Sequence, residues 1–158
     1  MKSDCAVRIV PFRPELAPAF AALNLAWIEQ YFRVEERDRV ALTDCESAIV
    51  TPGGEIFFAL RADVVIGTCA VIRLDPATCE LAKMAVTPAA QGQGVGRRLG
   101  ETAIAFARQI GARKIMLLTN SRLAPALRLY EHLGFERGPL PAHTEYARAD
   151  VYMELALD

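Results

Sequence analysis

Residues 85–100, AVTPAAQGQGVGRRLG, place a glycine-rich turn between an apolar run and a segment with helical periodicity. A strand that ends, a turn and a helix that begins at once form an anion-binding site. The unpaired N–H groups of the first helical turn point outward, and the helix dipole adds partial positive charge there. Glycines permit backbone angles that other residues avoid, and they let a phosphate reach the amides without meeting a Cβ atom. The stretch therefore predicts a phosphate-binding turn, with Arg97 and Arg98 beside it.

The spacing of these glycines excludes two common phosphate sites. A P-loop ends in Gly-Lys-Ser/Thr, whereas Gly96 is followed by two arginines. The dinucleotide fingerprint needs a glycine at its sixth position, which is Arg97 counted from Gly92 and Leu99 counted from Gly94. The pattern present is Gln-x-x-Gly-x-Gly over residues 91–96. A merely flexible loop is disfavoured, because the strand, the turn chemistry and the helix all agree on a phosphate site.

Outward from this turn, hydrophobic periodicity predicts the element order β-α-α-β-β-β-α-β-α-β-β. Ala62 and Asp63 make a tight connection between two strands, which predicts a β-hairpin. The order indicates one mixed α/β domain, in which an antiparallel start gives way to a strand–helix–strand crossover. Ranges are assigned to six of the seven strands, at residues 7–12, 55–61, 64–74, 78–86, 113–120 and 147–157, and to the four helices, at residues 15–32, 34–44, 95–110 and 121–135.

Composition and charge narrow the class of protein. The chain has 158 residues, of which 53% are hydrophobic and 23% charged, with a formal net charge of −1. This composition is typical of a globular domain with its own core. The charge gives no argument for nucleic acid or an anionic membrane surface, and neither a signal pattern nor an apolar run of roughly 20 residues is present. We expect a cytoplasmic protein that binds neither nucleic acid nor membrane.

The cysteines show no metal or disulfide pattern. None of the four forms a CxxC pair, and the two histidines lie far from them in sequence. A chain of this size without an export signal has little need of disulfides. We expect no metal site, and we expect free, mostly buried thiols at Cys5, Cys45, Cys69 and Cys79.

Two segments together resemble a known family. ELAKMAVTPAAQGQGVGRRL followed by LLTNSRLAPALRLYEHLGF is similar to the GNAT superfamily of acetyl-CoA-dependent N-acetyltransferases. The similarity is specific at three features: the Gln-x-x-Gly-x-Gly turn after an apolar strand, Asn120 at the end of the next strand, and Tyr130 four residues before Gly134-Phe135. The resemblance implies a single N-acetyltransferase domain over residues 1–158, with a cofactor-binding core at 79–135 and acceptor-site helices at 14–44. Its fold would be α/β (mixed α+β), with a central mixed, mostly antiparallel sheet of six to seven strands and about four helices.

The resemblance also implies how a cofactor is held. The cofactor is acetyl-CoA, used as an acyl donor without a metal. The turn's amides would hold the pyrophosphate of coenzyme A, and the preceding strand would pair with the pantetheine arm like an added strand. That strand would be splayed from the next one, which opens a slot for the arm. The residues expected to bind the cofactor are Met84, Ala85, Val86, Gln91, Gly92, Gln93, Gly94, Val95, Gly96, Arg97 and Asn120.

Two residues are candidates for proton transfer. Tyr130 stands where the family has its usual general acid, and the alternative is a core tyrosine on an amphipathic helix. Glu80 is the candidate base, against the alternatives of a solvated or paired carboxylate and of a water chain. In a regular strand Glu80 would share one face with Ala82, Met84 and Val86, while Lys83 would point to the other face as a surface or ion-pairing lysine. Asn120 caps the helix after it, reaches the pantetheine amides, or does both, and the cofactor-side role is favoured.

The acceptor side is expected between the first two helices and the loop before the last strand. Trp27, Tyr31 and Glu35 are the candidates for lining it, with Tyr146, Arg148 and His143 flanking the same cleft. The acidic cluster Glu35, Glu36 and Asp38 suits a cationic amine, although such a run is usually a solvated helix face.

These residues favour transfer of acetyl to a primary amine, by direct attack through a tetrahedral intermediate. A small-molecule acceptor is favoured because the short first helices offer no large docking surface. Two alternatives stay open: a non-catalytic coenzyme A sensor or scaffold, and an acetyltransferase acting on a protein amine. A nucleic-acid binder is poorly supported, since two arginines make no basic stripe. Family habit also makes a homodimer an expectation.

Overall fold

The order of helices and strands follows the predicted order. In this computed structural model, which describes residues 6–142 and 146–157, seven strands form one sheet in the order β1-β2-β3-β4-β5-β7-β6. The strands are β1 (Arg8–Val10), β2 (Glu55–Arg61), β3 (Val64–Asp75), β4 (Thr78–Val86), β5 (Lys114–Thr119), β6 (Glu136–Gly138) and β7 (Val151–Ala156). The helices are α1 (Ala17–Tyr31), α2 (Glu36–Thr43), α3 (Val95–Gln109) and α4 (Ala124–His132).

The sheet is mixed and mostly antiparallel, as expected. Its parallel pair is β4–β5, and α3 connects these two strands as a crossover helix. The predicted hairpin joins β2 and β3, where Ala62 and Asp63 adopt φ values of 51° and 64°. These left-handed angles are what a two-residue turn needs to match the twist of its strands. A π-helical turn at Glu46–Val50 was not anticipated from the pattern.

Alternating residues of the central strands build a core on each face of the sheet. On β2, Phe57 and Ala59 pack into the core beneath α3 and α4, while Ile56, Phe58 and Leu60 pack into the core beneath α1 and α2. Every one of these side chains is buried, because both faces of β2 are covered. The sheet is therefore fixed on both sides.

The parallel pair separates soon after it begins. β4 and β5 are paired at Thr78–Lys114, Cys79–Ile115 and Glu80–Met116, and not beyond. β5 continues to pair with β7 as far as Thr119, so it remains a strand while β4 diverges from it. The edge of β4 beyond Glu80 is consequently open toward β5, which is the splay that the family resemblance implied.

A bulge in β4 corrects the predicted alternation of its side chains. Lys83 has φ 55°, and the register with β3 shifts between the Ala70–Ala82 and Thr68–Ala85 pairs. The extra residue reverses the side-chain parity, so that Met84 and Val86 pack on the α3–α4 side, as Cys79 and Leu81 do. Lys83 instead contacts Asp38 of α2, and Glu80 lies opposite Ile72, which packs against the core beneath α1 and α2. The prediction that Glu80, Ala82, Met84 and Val86 share a face opposite Lys83 is wrong for this reason.

Cys45, Cys69 and Cys79 are free and buried, as predicted, whereas Cys5 and His143 lie outside the described residues. None of the described helices is both long enough and apolar enough to cross a bilayer. Within residues 6–142 and 146–157, no group of three or more His, Cys, Asp or Glu side chains is arranged to hold a metal ion.

Candidate active site

A cleft of about 640 Å³ opens where β4 and β5 part. Its walls are the open edge of β4, the glycine turn, the first turns of α4, the end of α1 and the segment that leads into β7. The predicted site residues that line it are Trp27, Tyr31, Glu80, Met84, Ala85, Val86, Gln91, Gly92, Gly94, Val95, Gly96, Arg97, Asn120 and Tyr130. Gln93 and Glu35, also predicted, do not line this cleft.

The glycine turn presents bare backbone to the cleft. Gly92 and Gly94 have φ values of 77° and 81°, and a Cβ atom on either would meet nothing within 4 Å. Gly94 is the N-cap of α3, and no side chain caps that helix. The N–H groups of the first turn of α3 therefore have no side-chain acceptor, and the partial positive charge of the helix terminus points outward.

The two glutamines of the turn brace it. Gln91 donates from Nε2 to the carbonyl oxygen of Val86 (3.1 Å), which ties the turn to the end of β4. Gln93 donates to the carbonyl of Ala89 (3.1 Å) and accepts from Arg61 (2.9 Å). Gln93 thus supports the turn from outside the cleft, which explains why it is absent from the cleft wall.

Tyr130 is both a core residue and a cleft residue. Its ring packs in the core against Phe135, with centroids 6.1 Å apart, and it also lines the cleft. Among the described residues, no group forms a hydrogen bond with its hydroxyl. Burial raises the pKa of Tyr130 to about 12, with a smaller contribution from Cys69. The phenol is therefore neutral at physiological pH and keeps its proton.

Glu80 is buried at the point where the strands part. Glu80 is 6% exposed, and it is the last residue of β4 to pair with β5. Lys83 and Tyr146 lie close enough for the charge of Glu80 to affect their pKa values. The carboxylate predicted to be a base thus lies at the inner end of the cleft, and the alternative of a solvated strand-end carboxylate does not fit its burial.

Behind the acceptor end of the cleft, Asp38 joins two cationic side chains. Its carboxylate is fully buried and accepts from Lys83 Nζ at 2.5 Å. It also accepts from both terminal nitrogens of Arg148, at 2.7 and 2.8 Å. Lys83 Nζ additionally donates to the Tyr146 hydroxyl (3.1 Å). The expectation that Lys83 is an ion-pairing lysine is confirmed, whereas the surface alternative is wrong.

Burial and pairing shift the pKa values within this cluster in opposing ways. Burial alone would raise the pKa of Asp38, but hydrogen bonds from Arg148 and Lys83 outweigh it and hold that pKa well below its usual range. Burial lowers the pKa of Lys83, against the opposing effect of Asp38. Burial, with the nearby charges of Asp38 and Glu80, raises the pKa of Tyr146. Asp38 is therefore ionised throughout the physiological range.

Three aromatic rings surround the Arg148 guanidinium. Its centre lies 4.5 Å from the Tyr146 ring, 5.7 Å from that of Trp27 and 5.9 Å from that of Phe32. Trp27 is itself fixed, because its indole N–H donates to the buried Asn24 (3.0 Å). Held by Asp38 and by these rings, Arg148 forms a rigid wall of the cleft.

The other predicted residues have mixed placements. Tyr31 is 45% exposed at the mouth of the cleft. Glu35 is the N-cap of α2, and its carboxylate accepts from the Ala147 N–H (2.9 Å) and from Arg148 (3.5 Å). Asn120 donates to the Arg148 carbonyl (2.6 Å) and accepts from the Arg122 N–H (2.8 Å). It does not cap α4, whose N-cap is Leu123, so the capping alternative is wrong and the favoured cofactor-side role stays a prediction.

The pairing of Asp38 with Lys83 was not predicted from the sequence, which gave Asp38 only as part of an acidic cluster and Lys83 only as a surface or ion-pairing lysine. The two residues are 45 positions apart and come together only in the folded chain. One signal was available, since a lysine inside an apolar strand is usually buried only with a partner. Arg148 and Tyr146 were expected at the cleft, and both line it.

A mixed sheet parted at its parallel pair, with a bare glycine turn at the opening, has the geometry that suits an extended, phosphate-bearing ligand between two strands. The chain belongs to the acetyltransferase (GNAT) family, whose model matches residues 20–135.

Individual proteins that are similar to this chain are also named as acetyltransferases. The uncharacterized N-acetyltransferase YjgM of Escherichia coli K12 is 42% identical over 69 residues, which are 44% of this chain and 38% of that protein. The chain thus spans well under half the length of this curated relative. An acetyltransferase of the GNAT family from Staphylococcus aureus Mu50 has a TM-score of 0.88 at 20% identity, over 97% of this chain and 100% of that one. The putative acetyltransferase yncA of Salmonella typhimurium, solved with its cofactor acetyl-CoA, has a TM-score of 0.75 at 22% identity, over 97% and 95% of the two chains. At these identities the two structures show a shared fold.

The residues present fit acetyl-CoA, the acyl donor of this family. A diphosphate needs backbone amides that no Cβ shields, and Gly92 and Gly94 leave that space open. A pantetheine arm carries amide groups that can pair with a strand edge, and β4 offers an unpaired edge beyond Glu80. Arg97, on the cleft wall, adds positive charge at the turn.

Proposed function

We propose that this protein transfers an acetyl group from acetyl-CoA to a primary amine of a small molecule. The observation that carries the proposal is the meeting, in one cleft, of the open β4 edge, the bare glycine turn and the unpaired Tyr130 hydroxyl. Membership of the GNAT family supports the same chemistry.

The cofactor-binding residues divide into two groups. The amides from Gly92 to Gly96, with Arg97, hold the diphosphate. The backbone of Met84, Ala85 and Val86 forms hydrogen bonds with the pantetheine arm, as an edge strand does with an added strand. The bound thioester supplies the acetyl carbon, which passes from sulfur to the amine nitrogen.

The proton-transfer residues face the cleft from different elements. Glu80, on β4, takes the proton that the amine gives up, directly or through a water molecule. Tyr130, on α4, donates its proton to the departing sulfur, which its raised pKa allows because the phenol stays neutral. After each turnover Glu80 therefore carries an extra proton and Tyr130 lacks one, and proton exchange through solvent returns both residues to their starting states.

The acceptor enters between α1 and the segment before β7. Trp27 and Tyr31 line this end of the cleft, and Arg148 closes it from behind. Because Asp38, Glu35 and the three rings hold Arg148 in place, the wall does not need to move to form the site. A fixed wall of this kind favours a small molecule over an extended protein tail.

The experiment is mass-spectrometric detection of acetylated products after incubation of the protein with acetyl-CoA and a mixed panel of amines. Detection by mass is preferable to a thiol dye, because the chain's own cysteines would add background. One or more acetylated amines support the proposal. Acetyl-CoA that binds by calorimetry without acetylating any amine would favour the non-catalytic sensor. Absence of binding would overturn both.

A further inference from the structure

A second groove opens from the acceptor end of the cleft. Its volume is about 600 Å³, and four of its lining residues, Tyr31, Phe32, Arg122 and Arg148, also line the cleft. The groove and the cleft are therefore continuous. Arg33, Glu35 and Ala147 complete the wall of the groove. An acceptor bound with its amine in the cleft would extend the rest of its structure into this groove.

The groove carries an excess of positive charge. Three of its lining side chains are arginines, and Glu35 is the one carboxylate among the lining residues. That carboxylate is already engaged, with the Ala147 N–H at 2.9 Å and with Arg148 at 3.5 Å. Arg148 is engaged as well, through its paired bonds to Asp38. The guanidinium groups of Arg33 and Arg122 therefore remain available to bind a ligand.

Arg33 and Arg122 have no carboxylate partner among the described residues. Both are solvent-exposed. The Arg122 guanidinium lies 5.1 Å from the centre of the Phe32 ring, so an aromatic stack orients it without using its N–H donors. A planar guanidinium presented in this way matches the two oxygens of a carboxylate.

The acidic run on α2 does not oppose this charge. Glu36 pairs with Arg39 (3.0 Å), on the exposed surface. Asp38 is buried against Lys83 and Arg148. Each of these carboxylates already has a cationic partner, and neither lines the groove. The cationic amine that the run suggested from sequence therefore finds no open carboxylate in this groove.

We infer that the acceptor is a primary amine that also carries a carboxylate, and that Arg33 and Arg122 bind this carboxylate in the groove. The inference rests on the proposed function, because it places the amine of the same molecule in the cleft. The substrate class is a small aminocarboxylate, such as an amino acid.

The test compares matched amines that differ in one charge. Glycine, β-alanine, aspartate and glutamate are each assayed against the corresponding amide, with acetyl-CoA as donor and mass detection of the product. The inference expects kcat/KM for the carboxylates to exceed that for the amides by about tenfold to a hundredfold, since a charged hydrogen-bonded pair is lost in the amide. Ethylamine and putrescine serve as the neutral-tail and cationic-tail comparisons.

Variants then assign the preference to the groove. Arg33→Gln and Arg122→Gln should each raise KM for the preferred carboxylate about fivefold to tenfold, with kcat and acetyl-CoA affinity retained. Arg108→Gln is the matched control, because Arg108 is an exposed arginine near the end of α3 and lines neither cavity. A second readout is calorimetric binding of the same carboxylates to protein saturated with coenzyme A, which involves no turnover.

The outcomes separate this inference from the proposed function. Equal use of carboxylates and amides, or a preference unchanged in both groove variants, overturns the inference and leaves acetyl transfer intact. A preference lost in the groove variants but kept in Arg108→Gln supports it. If no amine is acetylated, the proposed function fails, and calorimetry decides: carboxylate binding weakened by Arg122→Gln supports the groove as an anion site, and absent binding overturns it.

Discussion

Tyr130 packs in the core and also lines the cleft. Replacing it with Phe keeps the ring and its contact with Phe135, and removes the proton. Tyr130→Phe should therefore lower kcat by about tenfold to a hundredfold and leave acetyl-CoA affinity nearly unchanged, as loss of a general acid does. Steady-state kinetics and calorimetry measure the two effects.

Tyr152→Phe is the matched control for this prediction. The Tyr152 hydroxyl donates to Glu154 (2.6 Å) on β7, and the residue does not line the cleft. Its removal should leave kcat within about twofold of the wild type. Equal rates for Tyr130→Phe and the wild type would remove Tyr130 from the mechanism and return it to the core.

The buried Asp38 carboxylate should matter to stability more than any surface pair. Asp38→Asn leaves Lys83 and Arg148 buried without their counter-charge, which costs about 3–5 kcal/mol when one partner of a buried pair is removed. Denaturant unfolding at pH 7 measures this loss. Glu36→Gln is the control, because its pair with Arg39 is exposed and should change the unfolding free energy by less than about 1 kcal/mol.

The same carboxylate predicts an acid limb. The folded pKa of Asp38 is depressed, so its stabilising contribution is present above the unfolded pKa of about 3.9 and is lost as pH falls further toward the folded pKa. Wild-type stability should therefore fall with pH below about 4, and Asp38→Asn should show a weaker fall. Identical acid limbs in the two proteins would mean that other carboxylates dominate acid unfolding.

The positions of site residues that stand near a local sequence motif could be predicted. Contacts between residues far apart in the chain could not. The place of Tyr130 and Glu80 in the cleft was predicted, because each stands at a fixed offset from a motif of the resembled family, whereas their catalytic roles stay predictions. The Asp38–Lys83 pair depends on a bulge at Lys83 and on the docking of α2, neither of which leaves a periodic signal. Glu35 was expected to line the acceptor site; it lines the groove beside the cleft, and long-range bonds to residues 147 and 148 engage its carboxylate.

The sequence predicted the individual helices, strands and turns better than it predicted any other level of the structure. The strand, glycine turn and helix of residues 78–109 lie next to one another in the chain, so their geometry follows from local propensity. The hairpin of β2 and β3 is local in the same sense. The parting of β4 from β5 is different, because it depends on which strand pairs with each edge of β5, and only the family resemblance implied it.

The two glycines that flank α3 permit a test of the turn that separates backbone strain from loss of binding. Gly94 and Gly111 have φ values of 81° and 85°, and a Cβ atom at either would meet nothing within 4 Å. Alanine in a left-handed conformation costs about 1–2 kcal/mol at each position. Gly94→Ala should also weaken acetyl-CoA binding by at least tenfold, because its Cβ enters the space proposed for the diphosphate, whereas Gly111→Ala should not.

Calorimetry of both variants, with thermal unfolding as the stability check, decides this prediction. Equal losses of stability with unequal losses of binding would support the turn as the diphosphate site. Normal acetyl-CoA binding by a folded Gly94→Ala protein would contradict it. Comparable binding losses in both variants would trace the effect to general destabilisation rather than to the turn.

At the scale of the whole molecule, the net charge did not predict the positive charge of the groove beside the cleft. The net charge of −1 gives no sign of a basic groove, because carboxylates elsewhere offset the arginines around Phe32. The chain order of the elements was predicted from hydrophobic periodicity, and the family from the motifs at residues 91–96, 120 and 130–135. The order of the strands in the sheet was not predicted. The single-domain boundaries, the cytoplasmic location and the homodimer stay predictions.

The parted sheet makes a final prediction about the molecule as a unit. Three residue pairs join β4 to β5, so the strands from β5 onward are tied to the rest of the sheet by few backbone hydrogen bonds. A ligand lying between the parted strands would add contacts to both and would stabilise the folded state. At a hundred times its dissociation constant, acetyl-CoA should add about 2.7 kcal/mol to the unfolding free energy. For a domain of this size that corresponds to a rise in Tm of about 5–10 °C.

Thermal unfolding and amide hydrogen exchange test this together. We expect exchange to slow at Met84, Ala85 and Val86 on the open edge and at the first turn of α3, and to change little in β1 and β2. Gly94→Ala should show a much smaller rise in Tm at the same acetyl-CoA concentration. Pantetheine, which lacks the diphosphate, should stabilise the wild type weakly, because it leaves the glycine turn unfilled. A full rise in Tm with protection confined to other elements would place the ligand outside the parted strands.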